Sequence, residues 1–295
     1  MTAARTRTGP IDLTVEAPAV HDHVTASGHG PLGFVETVAR VLDRAHPSDL
    51  VVVSGRLDSS TPQGTRVLRE GFDRGCLMLL TPVETYGPLD GAATRAAVAD
   101  TRDAFDRVVD QALADGHRTV RIVADNTARL ADATPERRHR WFEWEHATDA
   151  WQAVRPVSGV CWFDHDRVRP EDLRAGAHLH ARSSGVDVTW RVFHRADPDR
   201  PGDTRLSVAG DVDAGDVGAF DAALRGAARA LAPGVRRAGS SLAVDLADVG
   251  YLHHRALDAL EDLAPADGAV TLHRTPTTVR RVVDAVAWWP RLALA

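Results

Sequence analysis

Histidines and carboxylates gather in a few short stretches of this chain, and their spacing limits the chemistry they can do. His21, His23 and His29 fall close together in a segment that also holds Gly28, Gly30 and Gly33. Three neighbouring imidazoles can hold zinc, yet loop histidines are more often ordinary surface residues, and a surface loop is the expectation. His139, Glu143, Glu145, His146 and Asp149 follow one another along a predicted helix. His139/Glu143 and Glu145/Asp149 are i,i+4 pairs, so each pair shares a face, but the two pairs point in different directions. No His-Glu-x-x-His spacing is present. The sequence therefore predicts a solvated helix with local polar contacts, names no metal ligand and calls for no cofactor.

Two aspartates stand where apolar strands end. Asp125 closes Thr-Val-Arg-Ile-Val-Ala-Asp, and Asp164 follows Val-Ser-Gly-Val-Cys-Trp-Phe. Open α/β sheets place ligands at the C-terminal ends of their strands, which favours ligand contact by these carboxylates. Aspartate is also a turn former, and that alternative stays open. The stretch Thr25 to Phe34 has the glycines of a phosphate-binding loop. Such a loop also needs a lysine to meet the phosphates, and the chain has none. Nucleotide hydrolysis is not expected, and no Ser-His-Asp arrangement can be assembled from the sequence.

The elements that must carry these residues alternate between helix and strand. Phe34, Val35, Val38, Val41 and Leu42 have helical spacing, and Leu50 to Val53 is a short apolar run bounded by Ser48-Asp49 and Gly55. A helix over 62–71, a strand over 76–80, a helix over 103–115, a strand over 119–123, a helix over 135–154 and a strand over 157–163 complete the first part. This order predicts a mostly parallel sheet wrapped by helices. Residues 188–193 and 205–209 read as a hairpin around the polar turn Ala196 to Asp203, with a domain junction near 181–185. Strand and helix then alternate to the C-terminus. Residues 1–20 lack periodicity and carry Pro10 and Pro18, which predicts a flexible lead-in. The expected division is a lead-in over 1–20, a larger α/β domain over 21–183 and a smaller α/β domain over 184–295.

Composition narrows the function. The chain has 295 residues, 44% hydrophobic and 26% charged, with a net charge of -6. That is an ordinary globular make-up without the concentrated basic face that nucleic acid requires. No apolar run approaches the roughly 20 residues that span a bilayer, so no membrane partner is expected and a cytoplasmic location is. Cys76 and Cys161 are too few and too far apart for a disulfide framework, and both read as reduced, buried thiols.

Trp144-Glu145 on the long helix and Cys161-Trp162-Phe163-Asp164 on the following strand, together with His21 or His23, resemble the motifs of the MEDS sensory domain over roughly 21–183. The family's late His-Pro and early Tyr are missing here, with His178 or His180 in place of the former. The resemblance implies a RecA-like fold that has lost catalysis. It also implies a small, mainly apolar ligand pocket over the strand ends, with His21, His23, Asp125, Glu145, Cys161 and Asp164 as ligand-binding residues.

The second part resembles a STAS domain, the fold of anti-sigma factor antagonists. Leu206 to Phe220 is similar to its opening strand and helix, Val244 to Leu260 to its central strand, turn and helix, and Leu272 to Val286 to its closing pair. STAS domains carry a phosphorylatable serine at the central turn. Here His253, His254 and Arg255 occupy it, and Ser240 and Ser241 precede the strand. The two resemblances together imply a non-enzymatic regulator. Its sensory domain would read a small ligand or a partner, and its second domain would dock an anti-sigma factor or a similar protein through His253, His254 and Arg255. A residual nucleotide-dependent enzyme and a purely structural scaffold are the alternatives.

Overall fold

A computed structural model describes residues 8–81, 95–131, 133–200, 202–230, 242–266, 268–286 and 288–295. The chain forms two sheets. The first has seven parallel strands: β1 (Gly9–Pro10), β2 (His23–Gly28), β3 (Asp49–Ser54), β4 (Leu77–Leu80), β5 (Thr119–Asp125), β6 (Val157–Asp164) and β7 (Arg182–Ser184). Their order across the sheet is β1-β7-β2-β6-β5-β3-β4. Parallel neighbours need crossover helices, and these cover both faces. The first part contributes α1 (Gly30–Arg44), α2 (Pro62–Asp73), α3 (Arg95–Ala114), α4 (Thr127–Leu130), α5 (Pro135–Gln152) and α6 (Pro170–His178).

Alternation along the strands divides the core. Val51 and Val53 join Val24, Val160 and Trp162 against α1, where Phe34, Val38 and Leu42 are buried. Leu50 and Val52 face the other way and pack with Val120, Ile122, Phe105 and Val109 of α3. Helix starts follow their caps. Thr61 and Thr134 each accept a backbone N–H from three residues on, with Pro62 and Pro135 in the first turn.

The second sheet contains β8 (Trp190–Ala196), β9 (Thr204–Val212), β10 (Leu242–Leu252), β11 (Val270–His273) and β12 (Leu292–Leu294), in the order β12-β11-β10-β9-β8. β8 and β9 form the antiparallel hairpin that their spacing predicts, and the other neighbours are parallel. Helices α7 (Val217–Ala230), α8 (His254–Glu261) and α9 (Thr277–Val286) pack on it around Phe220, Leu224, Leu246, Leu257 and Leu260. The α/β class and the mostly parallel first sheet are as the sequence predicts.

Two expectations need correction near the N-terminus. His23 lies not in a surface loop but on β2, an interior strand hydrogen-bonded to β6 and β7, and is 1% exposed. The lead-in is packed from Gly9 onward, because Gly9 and Pro10 pair with β7 and the side chains of Ile11 and Leu13 enter the core. Short strands of mixed polarity, such as His-Val-Thr-Ala-Ser-Gly, carry too weak an alternation to be read from sequence. Ser240 and Ser241 lie outside the described residues.

Candidate metal centre

The adjacency of β7, β2 and β6 brings together side chains far apart in the sequence. His23 pairs with Gly159 across the β2–β6 ladder and Thr25 with Cys161, so alternation puts His23 and Cys161 on one face. Helix α5 crosses that face. Trp141, Glu145, Asp149 and Gln152 are spaced four, four and three residues apart, and all four are buried. Gly159 admits the helix at this height, since a Cβ there would lie 2.5 Å from the Gln152 side chain. His180, between α6 and β7, comes in from the remaining side and is completely buried.

Four donors result: one each from His23, Glu145, Cys161 and His180, all within 4.8 Å of one another. His23 Nε2 is 3.2 Å from Cys161 Sγ, and Cys161 Sγ is 3.3 Å from Glu145 Oε2. Glu145 Oε2 is 3.5 Å from His23 Nε2 and 3.2 Å from His180 Nε2. A tetrahedral ion with ligands at about 2.0–2.3 Å has edges of about 3.3–3.8 Å. Four of the six edges lie at or just below this range, and the other two are within 4.8 Å, so the donors are close enough to surround one ion.

The surroundings set each ligand. The Nδ1 of His180 lies 2.7 Å from the Gly176 carbonyl, so a proton on Nδ1 would leave the Nε2 lone pair available to an ion among the other donors. His23 Nδ1 is 3.4 Å from Asp149 Oδ1, the carboxylate–histidine pairing that orients metal-bound imidazoles. Burial, followed by the nearby His180 ring, pushes the His23 pKa down to about 3, so the imidazole is neutral and its lone pair free. Burial also pushes the Cys161 thiol well up, with the Glu145 carboxylate adding to the effect. Burial works to raise the Glu145 carboxyl as well, but contact with the two imidazoles outweighs it and holds the group low. Glu145 Oε1 and His180 Nε2 make no aligned hydrogen bond despite complete burial. Without a cation the set is a buried carboxylate against two imidazoles and a thiol that burial keeps protonated. Such buried groups are costly unless paired, and a divalent ion would pair the carboxylate and favour the thiolate.

Of the six ligand-binding residues predicted from sequence, the structure brings three together: His23, Glu145 and Cys161. The others are engaged elsewhere. His21 is exposed, and its Nδ1 meets the Gln152 carbonyl. Asp125 accepts the Thr127 N–H and so forms a turn. Asp164 is buried at the end of β6 and accepts the N–H groups of Gly30 and Asp166, which closes the glycine loop with its own carboxylate. The solvated-helix expectation for α5 holds at its outer side, where His139 and Glu143 meet Arg229, and fails at His146 and Asp149, which are buried; Glu145 is buried as the MEDS resemblance implies. Sequence reasoning paired Asp149 with Glu145 on one face but gave it no role at a site, and it noted His180 only as a substitute for a missing motif. The four-residue step from Glu145 to Asp149 is the signal that shows the pair sharing a face. His253 caps α8, with His254 and Arg255 exposed beside it.

A family model described as MEDS, the methanogen/methylotroph, DcmR sensory domain, matches residues 33–181. This is half of the chain. The chain belongs to the MEDS family. Glu145, Cys161 and His180 fall inside the matched MEDS range, and His23 just before it. A sensory or regulatory role follows from membership in MEDS. No curated protein matches the chain. Among the described residues, no helix is long and apolar enough to cross a membrane.

Proposed function

We propose that this chain is a non-enzymatic cytoplasmic signalling regulator whose MEDS unit senses through a divalent, zinc-type ion held by His23, Glu145, Cys161 and His180. The observation that carries this reading is the convergence of four buried donors within 4.8 Å of one another, with four contacts at 3.2–3.5 Å. Four protein ligands leave no open position, and closed sites suit structural or sensing roles more than hydrolysis, where one position is kept for water. Soft thiolate with imidazole favours zinc over magnesium or calcium. The lack of any lysine weighs against a residual nucleotide-dependent enzyme.

The centre has direct contacts with the second sheet. Arg191 of β8 is buried and donates to the carbonyls of Ala177 and His180 and to Ser183 Oγ, at 2.9, 3.2 and 2.8 Å. The backbone N–H of His194, also on β8, donates to the Asp149 carboxylate. A change at His23 or His180 therefore acts on β8 through two hydrogen-bonded links. In this reading the second unit is a STAS-like output module that docks an anti-sigma factor or a similar protein at His253, His254 and Arg255. The strand order and the exposure of this helix start support that assignment. No nucleic acid or membrane partner is invoked.

Capture of partners from native lysate by the untreated and the chelator-treated chain, read by mass spectrometry, tests the proposal. An anti-sigma-type kinase retained by only one of the two states is the expected result. Identical partners in both states, or a complex of metabolic enzymes, would contradict it.

A further inference from the structure

A cleft outside the four-donor centre lies where the two sheets' helices meet. Helix α7 turns Ala222, Ala223 and Gly226 toward it, spaced one and three residues apart on one side of the helix. Side chains this short leave a space of about 290 Å³ bounded by Phe142 and His146 of α5 and by Trp190 of β8. Protein interiors are close-packed, and an apolar cavity of about 150 Å³ already takes up benzene. The cleft is large enough for a one- or two-ring molecule.

Two polar groups of its wall make no well-aligned hydrogen bond. His146 is completely buried, and the Ala223 backbone lies beside its ring, but neither ring nitrogen is fully satisfied among the described residues. Its ring edge faces α7, because a Cβ added at Gly226 would lie 3.2 Å from His146 Cδ2 and 3.5 Å from Nε2. Trp190 is 1% exposed, and its indole N–H is unpaired as well. Leaving such groups unsatisfied is costly, so a polar atom in the cleft is favoured. Charged residues keep to the rim, where Arg229 pairs with Glu143 and Glu171 with Arg169.

We propose that this cleft binds a small uncharged molecule with an apolar body and one oxygen function, a phenol, alcohol or ketone, whose oxygen bonds to His146 and the Trp190 N–H. The site stands on the cleft alone and does not require a metal at the four-donor centre. A ligand here touches α5 and α6 of the MEDS unit together with α7 and β8, and so bridges the two sheets.

Titration calorimetry on the full chain with 4-ethylphenol tests it, with ethylbenzene and 4-ethylbenzoate as comparison arms. Saturable one-to-one binding of 4-ethylphenol is expected, unchanged by chelator. Ethylbenzene should bind about tenfold more weakly for want of the hydrogen bond, as should 4-ethylphenol to His146→Phe. Ala222 is exposed at the mouth, so Ala222→Trp closes the cleft without touching the core and should abolish binding. The proposal is overturned by an absence of saturable binding up to about 1 mM, the weak end of specific recognition. Equal affinity in Ala222→Trp, or tighter binding of 4-ethylbenzoate, overturns it too.

Discussion

Asp149 is the residue that would orient a ligand of the proposed centre without ligating itself. Its carboxylate lies between the His23 imidazole and the His194 backbone N–H, and burial pushes its pKa up to about 6. Outer-shell partners of this kind typically change metal affinity by about 10–100-fold. We predict that Asp149→Asn, which keeps the shape and still accepts the His194 N–H, weakens metal binding within that range while the chain stays folded. Competition against a coloured chelator measures it, and wild-type affinity would remove Asp149 from the centre. Glu145→Gln should weaken binding further, because it takes away the charge that meets the cation.

At the scale of elements, the sheet is locked at its β3–β5 end by an ion pair. Asp49 accepts from Arg121 Nε at 2.7 Å, Thr119 Oγ1 at 2.8 Å and the His46 N–H at 3.0 Å, and is 3% exposed. Burial works to raise its carboxyl, but these bonds and the Arg121 charge outweigh it and hold the pKa below the ordinary 3.8. A group depressed in the folded state adds stability above its unfolded pKa and loses it as pH falls through the folded value. Asp49→Asn should therefore cost about 2 kcal/mol near neutral pH and nothing at pH values below both pKa values. Denaturant midpoints compared at the two pH values read the difference, and a constant gap would contradict it. Many elements are legible in the sequence because their periodicity is strong: the Val51–Val53 run, the Phe105–Val109 stripe and the Pro135 helix start. The short polar strand at His23 and the short helix at Pro170 are not, and they position half of the centre. Side chains on β2, β6 and α5 meet through parallel pairing, which no local spacing encodes. Hence Cys161 and Glu145 are found by motif, while their convergence with His180 is not.

For the whole molecule, the proposed function requires a path from the four-donor cluster to the second sheet. Arg191 bridges the two through its hydrogen bonds, and burial lowers its pKa to about 10, so it stays charged near neutrality. Arg191→Met should leave the Ala177 and His180 carbonyls and Ser183 Oγ without this donor and destabilise the chain by about 2–3 kcal/mol. At the far end, His254→Glu places a fixed negative charge on the exposed start of α8 and should weaken partner binding, whereas His254→Ser should bind with little loss. Equal binding by His254→Glu and the wild type would show that this turn is not the docking surface.

Native mass spectrometry of the intact chain, purified without chelator, is the decisive experiment. The expected result is a mass increment of one divalent transition-metal ion per chain, absent when His180→Ala and Cys161→Ser are combined. A fall in the thermal midpoint is also expected when the ion is stripped from the wild type. A chain that carries no ion after incubation with zinc, and whose midpoint is the same with and without it, would contradict the metal centre outright.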